Sequence, residues 1–427
     1  MSPDSPRQGR ASSAPAIHEA VPRQEFTSAQ WVFMSLLFVS VGINYMDRGN
    51  LGVAAPVLIP ELGLPPARMG FLLSAFFWTY AGFQVVGGWL VDRYDVTRVY
   101  ALGFFVWSFA TLATGAVSGF VGLCLMRLLL GIGESVAYPS YSKILMLTLA
   151  EHQRGLANAI IDAGTKVGPA LGTLIGGLLI ARFGWRVLFI GVGAASLVWI
   201  VPWLRWAPKI HVRQTAATAA PGFLEIMSRR SAWATFFGLF CYNYAWYFLL
   251  TWLPSYLVME RKFTMRMMAV YGALPFAATA VSAVFCGWLS DRQIARGGSV
   301  NKVRKTFVVA GVLVTAAALP LATVNSHLVS MISLVTGFAG MGLFTSNSWA
   351  VSQTIAGVKA SGKWTGLQNG VGNLAGVTAP VITGWIVGRL GSFHVAFVVA
   401  SAMLVATALL YAFMLGRIEP VRWKKGE

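Results

Sequence analysis

Apolar stretches of about 20 residues, each long enough to cross a hydrocarbon layer of roughly 30 Å as a helix, recur along almost the whole chain. Cutting at the charged or Gly/Pro-rich breaks between them predicts about twelve spans. These run over 30–58, 69–91, 99–118, 120–148, 155–181, 187–206, 231–258, 267–290, 306–323, 328–356, 364–388 and 394–416. The longest polar stretch between spans, 207–230, reads as a linker between two six-helix halves at 29–206 and 231–417. A polar segment over 1–28 precedes the first span, and a short basic tail over 418–427 follows the last. The first of these has no charged start leading into a short apolar core and a small-residue cleavage site, so it reads as a soluble tail, not a signal peptide. The pattern predicts an all-α, polytopic membrane protein.

Composition narrows the function class. Hydrophobic residues make up 56% of the 427 and charged residues 11%. A soluble protein carries about 25% charged residues, so a soluble enzyme is excluded. The formal net charge of +18 would suggest nucleic acid if it lay on one face. Its distribution says otherwise. With the N-terminus placed inside, the cytoplasmic segments hold 22 Lys and Arg and the outer segments 7. Because positive loops are retained in the cytoplasm, both termini are expected there, in a bacterial inner membrane, with no nucleic acid as partner. Cys124, Cys241 and Cys286 all fall within apolar segments and read as small hydrophobes rather than a disulfide framework. There is no P-loop, no Cys/His metal spacing and no soluble catalytic domain, so neither ATP-driven transport nor enzyme chemistry is expected, and no cofactor.

Two breaks resemble each other. Gly88-Trp89-Leu90-Val91-Asp92-Arg93 follows the second span and Gly287-Trp288-Leu289-Ser290-Asp291-Arg292 the eighth, at an offset of 199 residues. Gly155-Leu156-Ala157-Asn158 in the fifth span matches Gly366-Leu367-Gln368-Asn369 in the eleventh, and Pro169 matches Pro380, at a common offset of 211. Two similar halves predict a pseudo-two-fold axis along the membrane normal, with a site between them at mid-depth.

The G-x-x-x-D-R breaks, together with Arg127-Leu128-Leu129-Leu130-Gly131-Ile132-Gly133-Glu134, resemble the signatures of the major facilitator superfamily. One departure is Asp95, where the first signature usually has Gly. Asn44-Tyr45-Met46-Asp47-Arg48-Gly49-Asn50-Leu51, Phe76-Phe77-Trp78-Thr79-Tyr80 and Gly131-Ile132-Gly133-Glu134 are similar to the anion:cation symporter family within it. That family includes bacterial galactonate, glucarate, hexuronate, tartrate and phthalate permeases and animal vesicular glutamate and sialic acid carriers. The resemblance implies twelve transmembrane helices in two pseudo-symmetric six-helix bundles. It also implies that Tyr45, Arg48, Tyr80, Ser346 and Asn369 contact a substrate anion and that Asp47 and Glu134 are the protonatable pair. In galactonate-type carriers the polar residue of the fifth helix is Gln; Thr165 stands there, beside Lys166.

An ionised side chain at the bilayer centre costs several kcal/mol unless paired or hydrated, which makes each one a functional candidate. Only Asp47, Glu134 and Asp162 among the acids, and Arg48, Arg127, Lys143 and Lys166 among the cations, lie well within spans. All five histidines sit in tails, loops or span edges, so carboxylates would have to carry any proton. Asp47 and Arg48 lie about 27 Å along the first span at 1.5 Å per residue, level with Arg127 on the fourth, which permits an Asp47–Arg127 bridge. Glu134 lies two turns from Arg127 on the same face. It reads as a proton carrier or, alternatively, as half of a structural pair with Arg127. Asp162 and Lys166, spaced i, i+4, are either a self-neutralised pair or an anion-binding cation moderated by its acid. Lys143 is expected to snorkel to the membrane surface.

Arg48 and Lys166 thus look available to an anion, with Arg127 a further candidate. Amides, hydroxyls and rings of the second half, Ser346, Trp349 and Asn369 among them, would face them. Many of those aromatics could equally be packing or interface residues. The expected activity is proton-coupled uptake of an organic anion, most readily a sugar acid or other carboxylate, by a monomer working through alternating access. Asp92, Arg93, Asp291 and Arg292 would act in gating. Proton/drug antiport and transporter-like nutrient sensing are the alternatives.

Overall fold

The computed structural model describes residues 26–207 and 221–423. The expected N-terminal tail, most of the linker and the last four residues lie outside the described residues, apart from a short helix, Phe223–Met227, that leads into the second half. Among the described residues twelve long helices follow one another, and each expected span is found. They are α1 Ser28–Glu61, α2 Pro66–Arg93, α3 Val96–Thr114, α4 Gly119–Thr148, α5 Glu151–Phe183 and α6 Trp185–Trp206. Then come α7 Arg230–Ser255, α8 Met265–Ala295, α9 Val300–Leu321, α10 His327–Gly357, α11 Ala360–Leu390 and α12 His394–Met414.

Most helices run a few residues past the apolar stretch that predicted them, because the polar ends can be helical in the headgroup layer. Eleven are apolar enough to span a membrane by composition alone. The exception, α7, is long enough but carries Tyr242, Asn243, Tyr244, Trp246 and Tyr247, nearly all of them buried against protein. Large apolar side chains that face outward instead, such as Val85, Leu102, Val281 and Phe413, form the lipid-facing surface. α10 and α11 are joined at Gly357, whose φ of 63° and ψ of 176° fall in a region that only glycine occupies readily.

Within the first half α1 packs on α5, α2 on α4, and α3 on α4 and α6. Helix–helix association in lipid rests on close packing, and glycine provides it. A Cβ at Gly168 of α5 would stand 2.5 Å from the Gly42 carbonyl of α1, and one at Gly131 of α4 would stand 2.3 Å from the Phe76 carbonyl of α2. The second half repeats the scheme, with α7 on α11 and α12 and α8 on α10.

The halves meet through α1–α7, α2–α11 and α5–α8. Exchanging the halves turns the second of these pairs into the third, as a pseudo-two-fold axis demands. The close approaches of backbone to backbone at α2–α11 and α1–α7 fall toward one end. A Cβ at Gly70 would lie 2.4 Å from the Pro380 carbonyl, one at Gly384 2.5 Å from the Pro66 carbonyl, and one at Gly52 2.8 Å from the Thr251 carbonyl. Toward the other end, which carries the two Asp-Arg breaks, Gly82 and Gly88 of α2 and Gly362, Gly366 and Gly370 of α11 have nothing within 4 Å of a Cβ position. The halves therefore close on each other at the first end and part at the Asp-Arg end.

Candidate functional site

Where the halves begin to part, α1 places Tyr45, Asp47, Arg48 and Asn50 within two turns. Arg48 is 2% exposed, and its Nε donates to Glu134 Oε2 at 2.8 Å. Helical side chains lean toward the N-terminus of their helix, which for α1 is the Asp-Arg end, and this carries the guanidinium down to the level of Glu134. Three rings surround it: Tyr80 at 4.4 Å, Tyr45 at 4.7 Å and Phe76 at 5.2 Å. Arg48 Nη2 and Glu134 Oε1 are buried without a hydrogen-bond partner among the described residues. Arg48 is therefore not the unpaired cation expected from the sequence. Its first partner is Glu134.

The Asp47–Arg127 bridge that the spacing permits is not among the ion pairs of the described residues. Arg127 donates instead to the main-chain carbonyls of Asp47 and Arg48, at 3.2 and 3.4 Å, and lies 5.4 Å over the Phe76 ring. Asp47 turns along its own helix and accepts from Asn50 Nδ2 at 3.2 Å, so the Arg127 guanidinium meets backbone rather than carboxylate. Nor do Arg127 and Glu134 make the structural ion pair that was the alternative. Arg127 fixes α1 to α4, and the Phe76 ring lies within 5.4 Å of both guanidinium groups. Asn50 was not singled out from the sequence, yet it lies one turn from Asp47 on the same face, a spacing that could have indicated it.

The two halves of the expected substrate set are not brought into mutual hydrogen bonding. Tyr45, Arg48, Tyr80 and Arg127 gather around Phe76. Tyr45 Oη lies 3.0 Å from Tyr138 Oη of α4. On α5, Lys166 Nζ forms an ion pair with Asp162 and Thr165 Oγ1 donates to the Asp162 carbonyl at 2.7 Å, which leaves Thr165 committed to its own helix. On the opposite side Ser346, Trp349 and Asn369 are half-buried. Ser346 Oγ donates to Leu343 O and accepts from Asn347 Nδ2.

Much of the polar and aromatic content of the second half serves packing. Tyr242 stacks on Phe344 with centroids 4.1 Å apart, Asn243 Nδ2 donates to Gly372 O, and Tyr247 Oη donates to Asn373 Oδ1 at 2.7 Å. Phe77 bridges the halves, 4.4 Å from the Tyr247 ring and against Gly376.

The Asp-Arg breaks have matching surroundings. Asp92 pairs with Lys143 of α4 at 3.3 Å, and Asp291 with Arg304 of α9 at 3.6 Å. Arg93 lies 5.8 Å from the Trp89 ring and Arg292 5.0 Å from Trp288. Lys143 also donates to Val91 O at 2.6 Å, so it caps the end of α2 rather than only reaching for the membrane surface. Every one of these pairs stays within its own half.

No group of His, Cys, Asp and Glu side chains able to hold a metal occurs among the described residues. Comparison with known proteins places the arrangement. The chain matches the major facilitator superfamily model over residues 37–380 and, in an overlapping match, 297–427. It is 29% identical to the probable galactarate/D-glucarate transporter GudP of Bacillus subtilis, over 95% of this chain and 96% of that one. It is 31% identical to the probable sulfoacetate transporter SauU of Cupriavidus necator, over 87% and 90%. With the D-galactonate transporter of Escherichia coli it shares 27% identity, over 92% and 97%. The crystal structure of a bacterial homologue of the human lysosomal transporter Spinster, in an inward-facing and occupied conformation, superposes with a TM-score of 0.78 at 18% identity, covering 91% of this chain and 97% of that one. Family match, motifs and helix arrangement agree, and the chain belongs to the major facilitator superfamily as a polytopic membrane transporter, not an enzyme.

Proposed function

We propose that the protein carries an organic anion of the sugar-acid or related carboxylate class into a bacterial cell together with protons. Relatives named for galactarate, glucarate, galactonate and sulfoacetate support the anion. The observation that carries the coupling is the buried Arg48–Glu134 contact at 2.8 Å. Asp47, Arg48, Arg127 and Glu134 sum to zero charge when both acids are ionised, and a low-dielectric interior penalises any departure from that sum. Adding an anion makes the group negative, and protonating one acid restores neutrality. Protonating Glu134 also ends its charge-assisted hold on Arg48, freeing a planar guanidinium for a carboxylate. Anion and proton therefore favour each other, and by linkage the dependence is mutual.

With the Asp-Arg end placed in the cytoplasm by the distribution of Lys and Arg, the closure at the opposite end makes this an inward-open state. In the cycle, Asp47 and Glu134 load protons from outside and Arg48 holds the anion, with Ser346, Trp349 and Asn369 reaching it from the other half. The halves then rock and release the anion and protons inward. The test is uptake of labelled sugar acids into proteoliposomes under an imposed inward proton gradient. Accumulation that collapses with a protonophore is expected. Absence of gradient-driven accumulation of any organic acid, with efflux of cationic dyes instead, would sink the reading in favour of antiport.

A further inference from the structure

We propose that Asp162 and Lys166 of α5 form a second anion seat, so that the transporter is built for a cargo with two anionic groups; this rests on the anion-transport reading above. On a helix turning 100° per residue, Asp162, Lys166, Thr173 and Gly177 fall within about 60° of one another. Gly177 packs against Ala269 of α8 and Thr173 against Gly272, so this is the face α5 turns toward the opposite half. Asp162 and Lys166 occupy that face two to three turns farther along, on the side where the halves part.

The two partners are unequally placed. The Lys166 side chain is 7% exposed, the Asp162 side chain 42%. An i, i+4 pair with one well-exposed member stabilises its helix only slightly, too little to account for an ammonium group held in the seam between halves. Tyr45 of α1 packs against α5 at Gly168, where a Cβ would stand 2.9 Å from the Tyr45 Cβ, and the Tyr45 ring lies 4.7 Å from the Arg48 guanidinium. α5 and Arg48 thus flank the same tyrosine, and Lys166 lies two residues from that contact.

A cargo with one anionic group needs only Arg48. One with two can place its second group on Lys166 while Asp162, already half in solvent, turns out to water, where its charge is screened. Asp162 then acts as an internal competitor that keeps Lys166 neutralised until such a cargo arrives.

The experiment measures dissociation constants of the purified full-length protein for pairs of acids that differ by one carboxylate: gluconate against glucarate, and benzoate against phthalate. The wild type should prefer the dianion of at least one pair by about tenfold or more, the value of one charge-assisted hydrogen bond. Lys166→Gln should collapse that ratio toward one, and Asp162→Asn, which removes the competitor, should raise dianion affinity above wild type. The opposite directions distinguish a seat from a helix-stabilising pair, whose loss from either side would leave the ratio unchanged. Equal affinity of the wild type for both members of each pair, or a ratio indifferent to both substitutions, overturns the second seat and leaves the anion reading standing. Binding of no acid from either pair overturns both.

Discussion

Glu134→Gln isolates the competition on which the proposed proton coupling depends. The substitution keeps the size and the hydrogen-bonding shape of the side chain but removes the charge that holds Arg48 Nε at 2.8 Å. A hydrogen bond between charged groups contributes about 1.5–3 kcal/mol more than none, and an incoming carboxylate must displace it when Glu134 is ionised. Removing it should therefore strengthen anion binding about tenfold to a hundredfold at alkaline pH, where the wild type is held back most. At acid pH, where the wild-type carboxyl is already neutral, the two proteins should converge. The wild type thus loses affinity as pH rises and the variant does not. Calorimetric titration of the purified proteins across pH measures this directly. In proteoliposomes the same variant should retain counterflow exchange while losing accumulation driven by a proton gradient. A variant that binds more weakly than wild type at every pH, or that keeps the wild-type pH slope, would refute the competition. Equal loss of exchange and accumulation would remove Glu134 from coupling.

Arg48→Ala should abolish anion binding and also destabilise the fold by about 3–5 kcal/mol, since it leaves the buried Glu134 carboxylate unpaired; adding Glu134→Gln should restore much of the stability, read by thermal unfolding, without restoring binding. Gly131→Ala would set a Cβ 2.3 Å from the Phe76 carbonyl. It should cost about 1–3 kcal/mol of stability by forcing α2 from α4, and an unchanged unfolding temperature would show that the contact can relax. Gly70→Val, at the 2.4 Å approach to Pro380, should disfavour the closed end. A cysteine replacing the buried Thr251, in a background without Cys124, Cys241 and Cys286, should then be labelled faster from that side, and an unchanged rate would count against glycine-mediated closure.

What was legible in the sequence follows from which interactions are local. Span number and position depend on runs of apolar residues against a fixed hydrocarbon thickness, and the helices follow those runs even at α7, whose tyrosines weaken the signal. Repeated Asp-Arg breaks exposed the two-fold relation, and the offsets make α8 the equivalent of α2 and α11 the equivalent of α5. The partners of the buried charges were harder to read. Depth along each helix put Asp47 level with Arg127, and that level is right, since Arg127 reaches the main chain of Asp47 and Arg48. Depth does not say how far a long side chain leans, and Arg48 leans one way along α1 while Asp47 folds back onto Asn50. Those two rotations replace an Asp47–Arg127 bridge by an Arg48–Glu134 contact, and no one-dimensional spacing carries that information.

The distribution of charge between the halves bears on how alternating access can couple to protons. Arg48, Arg127, Asp47 and Glu134 all belong to the first half, and glycine contacts at Gly131 and Gly168 lock the helices that carry them. Their relative geometry can therefore survive rocking of the halves. The contacts that change are those across the seam, where Phe77, Tyr247, Thr251 and the glycines of α2 and α11 meet. In the proposed cycle, a proton moved onto Glu134 acts on the seam only through the anion it allows Arg48 to hold. An anion that also engages Ser346, Trp349 or Asn369 ties the charged half to the polar one and stabilises their approach. On this account protonation alone leaves the equilibrium between states little changed, and proton and anion together shift it. Distance measurements by spin labels on the two halves, with and without sugar acid at low and high pH, should show closure at the Asp-Arg end only when both are present. Closure driven by low pH alone would place the proton's action at the seam itself.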